Sequence, residues 1–120
     1  MASNPEFVIF TGPMFGGKTS RMLAALDRAK YQSKKVAAFK PKMDHRYANE
    51  SIVTHTGHSW DAFCVSEGGE IPQHLKDVDI VAVDEAFMID GIADVLIGLY
   101  QKGKTIFVST IQLSAAGLFF

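Results

Sequence analysis

Eight residues near the N-terminus have the types and spacing of a phosphate-binding loop. The run G-P-M-F-G-G-K-T fits the pattern G-x-x-x-x-G-K-[ST], and it lies between an apolar strand-like run and a helical stripe. Glycines let backbone N–H groups approach phosphate oxygens closely. Lys18 is expected to reach the β- and γ-phosphates, and Thr19 to coordinate Mg²⁺. The predicted residues of this site for ATP or a close relative are Gly12, Pro13, Met14, Phe15, Gly16, Gly17, Lys18 and Thr19.

Two acidic residues follow a second apolar run. Ile80 to Val83 is the clearest buried strand in the sequence, and Asp84 and Glu85 come directly after it. In proteins with a phosphate loop, an acid at the carboxyl end of a neighbouring strand faces Mg²⁺, which is the role predicted for Asp84. Glu85 could take a proton from an attacking hydroxyl group or from water. The alternative is that both acids are merely exposed to solvent at the end of the strand. The phosphate loop in the same chain makes that alternative less plausible.

Apolar runs alternate with helical stripes along the chain. Strands are predicted at residues 7–10, 36–39, 60–65, 80–83 and 105–109, with a short one near 52–53. Helices are predicted at about 17–32 and from 92 onwards, the second capped by Asp90, with a weak helix ending near 76. This alternation predicts one domain, residues 1–120, of the α/β class. The expected architecture is a P-loop (RecA-like) three-layer fold, with a central, mainly parallel sheet flanked by helices.

Composition narrows the possible partners. The formal net charge of the 120 residues is −1, so there is no electrostatic footprint for nucleic acid. Cys64 is the single cysteine, which excludes an internal disulfide. The sequence shows neither a signal peptide nor an apolar stretch of membrane-spanning length. We therefore expect no nucleic-acid or membrane partner and a cytoplasmic location.

With both motifs placed, the chain resembles the type II thymidine kinases. Its loop is similar to that family's G-P-M-F-[SG]-G-K-[ST], and D-H-R-Y at 44–47 resembles the family's D-x-R-Y segment. T-H-T-G at 54–57 resembles [ST]-H-x-G, and V-D-E-A at 83–86 resembles the start of D-E-[AGV]-Q-F. The resemblance extends from about residue 8 to residue 120. The ordered set of motifs is far more specific than any one of them.

The resemblance implies an activity and several residue roles. The implied reaction is ATP-dependent phosphorylation of a deoxynucleoside, in the first place thymidine, at its 5′-hydroxyl, giving a nucleoside monophosphate for DNA synthesis. By resemblance, Glu85 activates that hydroxyl and Arg46 steadies the transferring phosphoryl group. Asp44 supports the loop that presents Arg46, and Met14 lines the nucleoside pocket. The family also implies a homotetramer.

The C-terminal residues depart from the family pattern. Where the family has two acids, an aromatic residue and a basic residue, this chain has Gln112, Ser114, Ala115 and Ala116. The sequence also ends before the family's zinc-binding segment and lasso loop. We therefore expect a fragment or a shortened relative with an incomplete acceptor site, which binds ATP better than thymidine. Two other classes stay open: a P-loop ATPase or ATP-binding module in which Glu85 orients water, and a non-enzymatic nucleotide-binding assembly protein.

Overall fold

The computed structural model describes residues 4–12, 17–42, 51–54 and 57–111. Several predicted site residues lie outside the described residues, namely Pro13, Met14, Phe15, Gly16, Asp44 and Arg46. The C-terminal departures at Gln112, Ser114, Ala115 and Ala116 also lie outside them. The described part contains the two ends of the phosphate loop, together with Asp84 and Glu85.

Seven strands form two sheets in the described part of the chain. They are β1 (Phe7–Gly12), β2 (Val36–Pro41), β3 (Ser51–Val53), β4 (Ser59–Asp61), β5 (Phe63–Val65), β6 (Ile80–Val83) and β7 (Thr105–Ile111). Five of them make a parallel sheet in the order β1-β7-β6-β2-β5, while β3 and β4 pair antiparallel. All four residues of β6 are buried, as expected for an apolar strand covered on both faces. The strand before the phosphate loop, β1, is thus separated from the strand before the acids, β6, by β7.

One helix covers each face of the parallel sheet. The helices are α1 (Lys18–Tyr31) and α2 (Ile92–Gln101). Alternate strand residues point to opposite faces and so pack against different helices. The α1 face contains Met22, Leu23, Leu26, Ala29, Ala38, Ile80 and Ala82. The α2 face contains Ile92, Leu96, Leu99, Val81, Val83, Ile106 and Val108. The predicted three-layer α/β architecture is confirmed. Neither of these helices is long and apolar enough to cross a membrane, and the described part of the chain contains no other that is.

The second half of the chain differs locally from the predictions. The single strand predicted at 60–65 is wrong, because buried Ala62 separates β4, which pairs with β3, from β5, which pairs with β2. The weak helix is replaced by two short 3-10 helices, Gly68–Glu70 and Pro72–His74. Asp90 does not cap α2. The N-cap is Gly91, whose φ of 69° suits glycine, and the Asp90 carbonyl accepts a hydrogen bond from the Gly68 N–H.

Candidate functional site

Glycines stand at both described ends of the phosphate loop. β1 ends at Gly12 with φ of 154°, and Gly17, the N-cap of α1, has φ of 83°. Residues with a Cβ rarely adopt either backbone conformation, so both positions favour glycine. Helix α1 then begins at Lys18, and the N–H groups of its first turn have no acceptor within the helix. The end of the helix therefore presents backbone donors and a partial positive charge, which suit an anion.

Arg21 ties the start of α1 to the end of β1. Its Nη2 donates a hydrogen bond to the Thr11 carbonyl oxygen over 2.8 Å. A Cβ added at Gly12 or Gly17 would lie within 4 Å of the same guanidinium group. The Arg21 guanidinium group thus lies beside both ends of the phosphate loop and is hydrogen-bonded to the residue before Gly12. Sequence reasoning missed this residue, and its position one helical turn after Lys18 was the signal available.

The residues of the two sequence motifs meet at the carboxyl end of the parallel sheet. The Thr19 hydroxyl donates a hydrogen bond to Asp84 Oδ1 over 2.9 Å. Lys18 Nζ lies 3.0 Å from Glu85 Oε1. Lys18 and Thr19, the last two residues of the loop motif, therefore each contact one of the two acids. The structure brings together four predicted site residues.

The Lys18–Glu85 contact is an ion pair partly removed from water. The Lys18 side chain is 6% exposed and the Glu85 side chain 28% exposed. Glu85 Oε1 is shielded from solvent and accepts no hydrogen bond from the described residues, so the attraction to Lys18 is electrostatic. A buried ammonium group requires such a partner, because removing a charge from water is costly. The site thus holds a buried cation paired with a carboxylate.

The backbone turn at Glu85 directs the two acids to different partners. Glu85 has φ of 51° and ψ of 46°, the left-handed conformation. This conformation costs a residue with a Cβ on the order of 1–2 kcal/mol. It places the Asp84 carboxylate beside Thr19 and the Glu85 carboxylate beside Lys18. A strained residue next to a charged cluster is typical of functional sites.

Ser109 is a second residue that sequence reasoning missed. It lies on β7, between the other two strands of the site, and it is fully buried. Its hydroxyl donates to Asp84 Oδ1 and accepts a hydrogen bond from the Glu85 N–H over 3.3 Å. In the sequence, Ser109 is the first polar residue after Ile106-Phe107-Val108. The change from apolar to polar residues within this predicted strand was the available signal. Its interpretation required knowing that β7 lies beside β6.

The oxygen atoms of Thr19 and Asp84 suit Mg²⁺. This cation prefers oxygen ligands and is commonly held by one or two carboxylates together with phosphate oxygens and water. A hydroxyl and a carboxylate that already lie 2.9 Å apart fit such a partial ligand set. The described residues contain no group of three or more His, Cys, Asp or Glu placed to hold a metal by themselves. The donors therefore fit a cation shared with a bound phosphate.

A cavity of about 970 Å³ lies away from this cluster. It lies beside the end of α1, the first residues of β2 and the segment 59–63 that contains β4. Its lining includes Lys30, Lys34, Val36, Trp60, Phe63 and His74. None of the predicted site residues lines it. The convergence of charged groups, rather than the size of a cavity, therefore defines the candidate site.

A family model described as thymidine kinase matches residues 6–120. The chain belongs to this family. It is 33% identical over 117 residues to the thymidine kinase of Mycoplasma capricolum, covering 92% of this chain and 56% of that protein. It is 32% identical over 110 residues to the thymidine kinase of Bacteroides thetaiotaomicron, covering 91% of this chain and 55% of that protein. The chain spans about half the length of these curated relatives.

Membership of the thymidine kinase family confirms the resemblance drawn from the motifs. It also agrees with the α/β fold, in which the phosphate-loop strand and the acid-bearing strand flank β7.

Proposed function

We propose that this member of the thymidine kinase family transfers the γ-phosphoryl group of ATP to the 5′-hydroxyl of a deoxynucleoside, with thymidine as the first candidate. The observation that carries the proposal is the junction of Lys18 and Thr19 with Glu85 and Asp84. Family membership supports the reaction class. Phosphoryl transfer depends on positioning and charge stabilisation, which these four side chains are suited to supply.

In the proposed reaction, the start of α1 binds ATP, the phosphoryl donor. Backbone N–H groups of the first turn and the adjoining loop bind phosphate oxygens, and Lys18 Nζ moves from Glu85 to the β- and γ-phosphates. Its ammonium group lies 3.0 Å from the carboxylate, so binding phosphate would replace that ion pair. The hydrogen bond from Arg21 to the Thr11 carbonyl connects the start of α1 to β1.

Thr19 and Asp84 are the residues that would hold Mg²⁺. When bound, Mg²⁺ draws negative charge from the phosphate oxygens and so favours transfer. Thr19 contributes its hydroxyl oxygen and Asp84 its carboxylate. The hydrogen bond between them, 2.9 Å long, brings both oxygens to one place before any ligand binds.

Glu85 is the proposed general base for the acceptor half. Its carboxylate takes the proton of the 5′-hydroxyl while that oxygen attacks the γ-phosphorus, the bond to the β-phosphate oxygen breaks and ADP leaves. Its Oε1 contacts Lys18 Nζ over 3.0 Å, and the Glu85 side chain is 28% exposed, which leaves the carboxylate within reach of an acceptor hydroxyl. Release of Lys18 to the phosphates would free the same oxygen. By resemblance, we propose that Arg46 steadies the phosphoryl group, Asp44 supports its loop and Met14 lines the nucleoside pocket.

An ATPase is the second candidate, and the same observation favours it. Glu85 Oε1 could accept a proton from water as readily as from a nucleoside hydroxyl, which would give ADP and inorganic phosphate. The two activities differ in their need for an acceptor. A nucleotide-binding assembly protein would bind ATP and release no ADP.

Measuring ADP release with ATP and Mg²⁺, with and without thymidine, separates these candidates. The kinase proposal expects ADP release that depends on thymidine and forms thymidine monophosphate in equal amount. ADP release that is unchanged by a panel of the common deoxynucleosides would support the ATPase. ATP binding without ADP release would contradict both enzymes. The tetramer and the cytoplasmic location implied earlier stay predictions, and light scattering of the purified protein tests the first.

A further inference from the structure

Ser109 lies where the two halves of the candidate site join. β7 is the central neighbour of both β1 and β6, so a side chain near its carboxyl end lies between the phosphate loop and the acids. Ser109 is fully buried there. It therefore has no direct access to solvent.

One hydroxyl group serves both acids. Ser109 Oγ donates to the carboxylate oxygen Oδ1 of Asp84, which also accepts the Thr19 hydroxyl. The same Oγ accepts a hydrogen bond from the backbone N–H of Glu85 over 3.3 Å. A hydroxyl has one donor hydrogen and two acceptor lone pairs, so both bonds can form together. Ser109 thus fixes the side chain of the first acid and the backbone of the second.

The bond to Glu85 acts on a strained residue. Glu85 holds the left-handed conformation that separates the directions of the two carboxylates. Its amide nitrogen is the point at which the chain turns away from β6. Without an acceptor at that point, the turn loses one of the contacts that hold it. A change at Ser109 is therefore expected to reach both Asp84 and Glu85 although it touches neither substrate nor metal.

We propose that Ser109 is a positioning residue that orients Asp84 for Mg²⁺ and Glu85 for the acceptor hydroxyl. This inference rests on the proposed function. A side chain that only fills space would affect stability alone. A positioning residue would change the dependence on Mg²⁺ and the maximal rate as well, because outer partners of metal ligands orient those ligands.

The test compares Ser109→Ala with Thr110→Val. Thr110 is the next residue on β7, is equally buried, and its hydroxyl has no hydrogen-bond partner among the described residues. Thr110→Val therefore removes a buried hydroxyl from the same strand without touching the acids. For each variant, the Mg²⁺ concentration that gives half-maximal ADP release in saturating ATP and thymidine is measured, together with the melting temperature.

Ser109→Ala is expected to raise that Mg²⁺ concentration or lower kcat by about 10- to 100-fold, the range typical of lost outer-shell partners. Thr110→Val is expected to match the wild type. Ser109→Thr keeps the hydroxyl and should restore most of the response. If the extra methyl group of Ser109→Thr unfolds the chain, Ser109→Cys takes its place in the comparison. Cysteine is close to serine in size but is only a weak hydrogen-bond donor, so this variant should behave like Ser109→Ala.

Two results would overturn the inference in distinguishable ways. A folded Ser109→Ala variant with wild-type Mg²⁺ dependence and kcat would show that Ser109 only packs. Wild-type protein that releases no ADP in response to Mg²⁺ and thymidine would overturn the proposed function, and the role of Ser109 with it, before any variant is compared.

Discussion

Lys18 Nζ lies 3.0 Å from Glu85 Oε1, and this ion pair joins the first residue of α1 to the turn after β6. Lys18 is almost completely buried, so its charge depends on the carboxylate for compensation. The proposed function needs the same ammonium group for phosphate. Nucleotide binding and the ion pair should therefore compete for Nζ.

Lys18→Met should abolish ATP binding, because a thioether cannot bind phosphate. It should also lower the free energy of unfolding by about 1–3 kcal/mol, since it leaves a partly buried carboxylate without its partner. The ion pair thus gives Lys18 a structural role in addition to its proposed role toward phosphate. Titration calorimetry and chemical unfolding measure the two effects.

The double variant Lys18→Met with Glu85→Gln separates these effects. It should regain most of the lost stability, because the unpaired charge is removed, and it should still fail to bind ATP. Wild-type ATP affinity in either variant would show that Lys18 is not a phosphate ligand.

Asp84→Asn should weaken the binding of Mg²⁺. The amide oxygen can still accept the hydrogen bonds from Thr19 and Ser109, so the fold should persist, but the negative charge that attracts the cation is lost. The Mg²⁺ concentration for half-maximal ADP release should rise about tenfold or more. Asp94→Asn makes the same chemical change at an exposed acid of α2 and should leave that concentration unchanged. Equal responses from the two variants would remove Asp84 from the metal site.

Gly68→Ala should destabilise the fold through a steric clash. A Cβ at Gly68 would lie 2.8 Å from the Gly91 carbonyl oxygen, at the point where the Gly68 N–H bonds to the Asp90 oxygen. Overpacking of this kind costs about 1–3 kcal/mol. Gly69→Ala is the control, because a Cβ there has no neighbour within 4 Å among the described residues. Thermal unfolding should show a lower melting temperature for Gly68→Ala and an unchanged one for Gly69→Ala. Similar melting temperatures for the two variants would contradict the packing described.

The Glu70 carboxylate should contribute stability that depends on pH. Hydrogen bonds from the backbone N–H groups of Glu67 and Ser66 to Oε2, 2.9 and 2.8 Å long, lower the pKa of Glu70 below its ordinary value of 4.5. The unfolded chain therefore binds this proton more tightly than the folded one. The stabilisation is present above the unfolded-state pKa and is lost as the pH falls through the lower folded-state pKa.

Glu70→Gln should accordingly melt below the wild type at neutral pH, with a difference that shrinks as the pH falls below 4.5. Melting curves across that range measure it. Glu6→Gln, at an exposed acid, provides the control. A difference that stays constant with pH would show that Glu70 stabilises the turn without its charge.

The parts of the structure that depend on local sequence pattern were predictable. The stripe of Met22, Leu26 and Ala29 fixed the buried face of α1, and the run Ile80–Val83 fixed the strand before the acids. The contact of Lys18 and Thr19 with Asp84 and Glu85 was predictable in outline, because carboxyl ends of parallel strands lie at one edge of a sheet.

The rest depends on contacts between distant segments. The contacts of Ser109 depend on the position of β7 between β1 and β6, an order that no local pattern specifies. The break at Ala62 has the same cause, since β4 and β5 pair with different partners. Gly91 replaces Asp90 as the N-cap of α2 because the Asp90 backbone is engaged by Gly68.

The formation of thymidine monophosphate by Glu85→Gln tests the central claim most directly. With ATP, Mg²⁺ and thymidine at saturation, the rate of product formation by the variant should fall by a factor of about 10²–10⁴, because the amide cannot take the hydroxyl proton. Its affinity for ATP–Mg²⁺, measured by calorimetry on the same sample, should be retained or increased, since Lys18 no longer has a competing carboxylate. A wild-type rate of product formation by the folded variant would contradict the account and show that another group is the base.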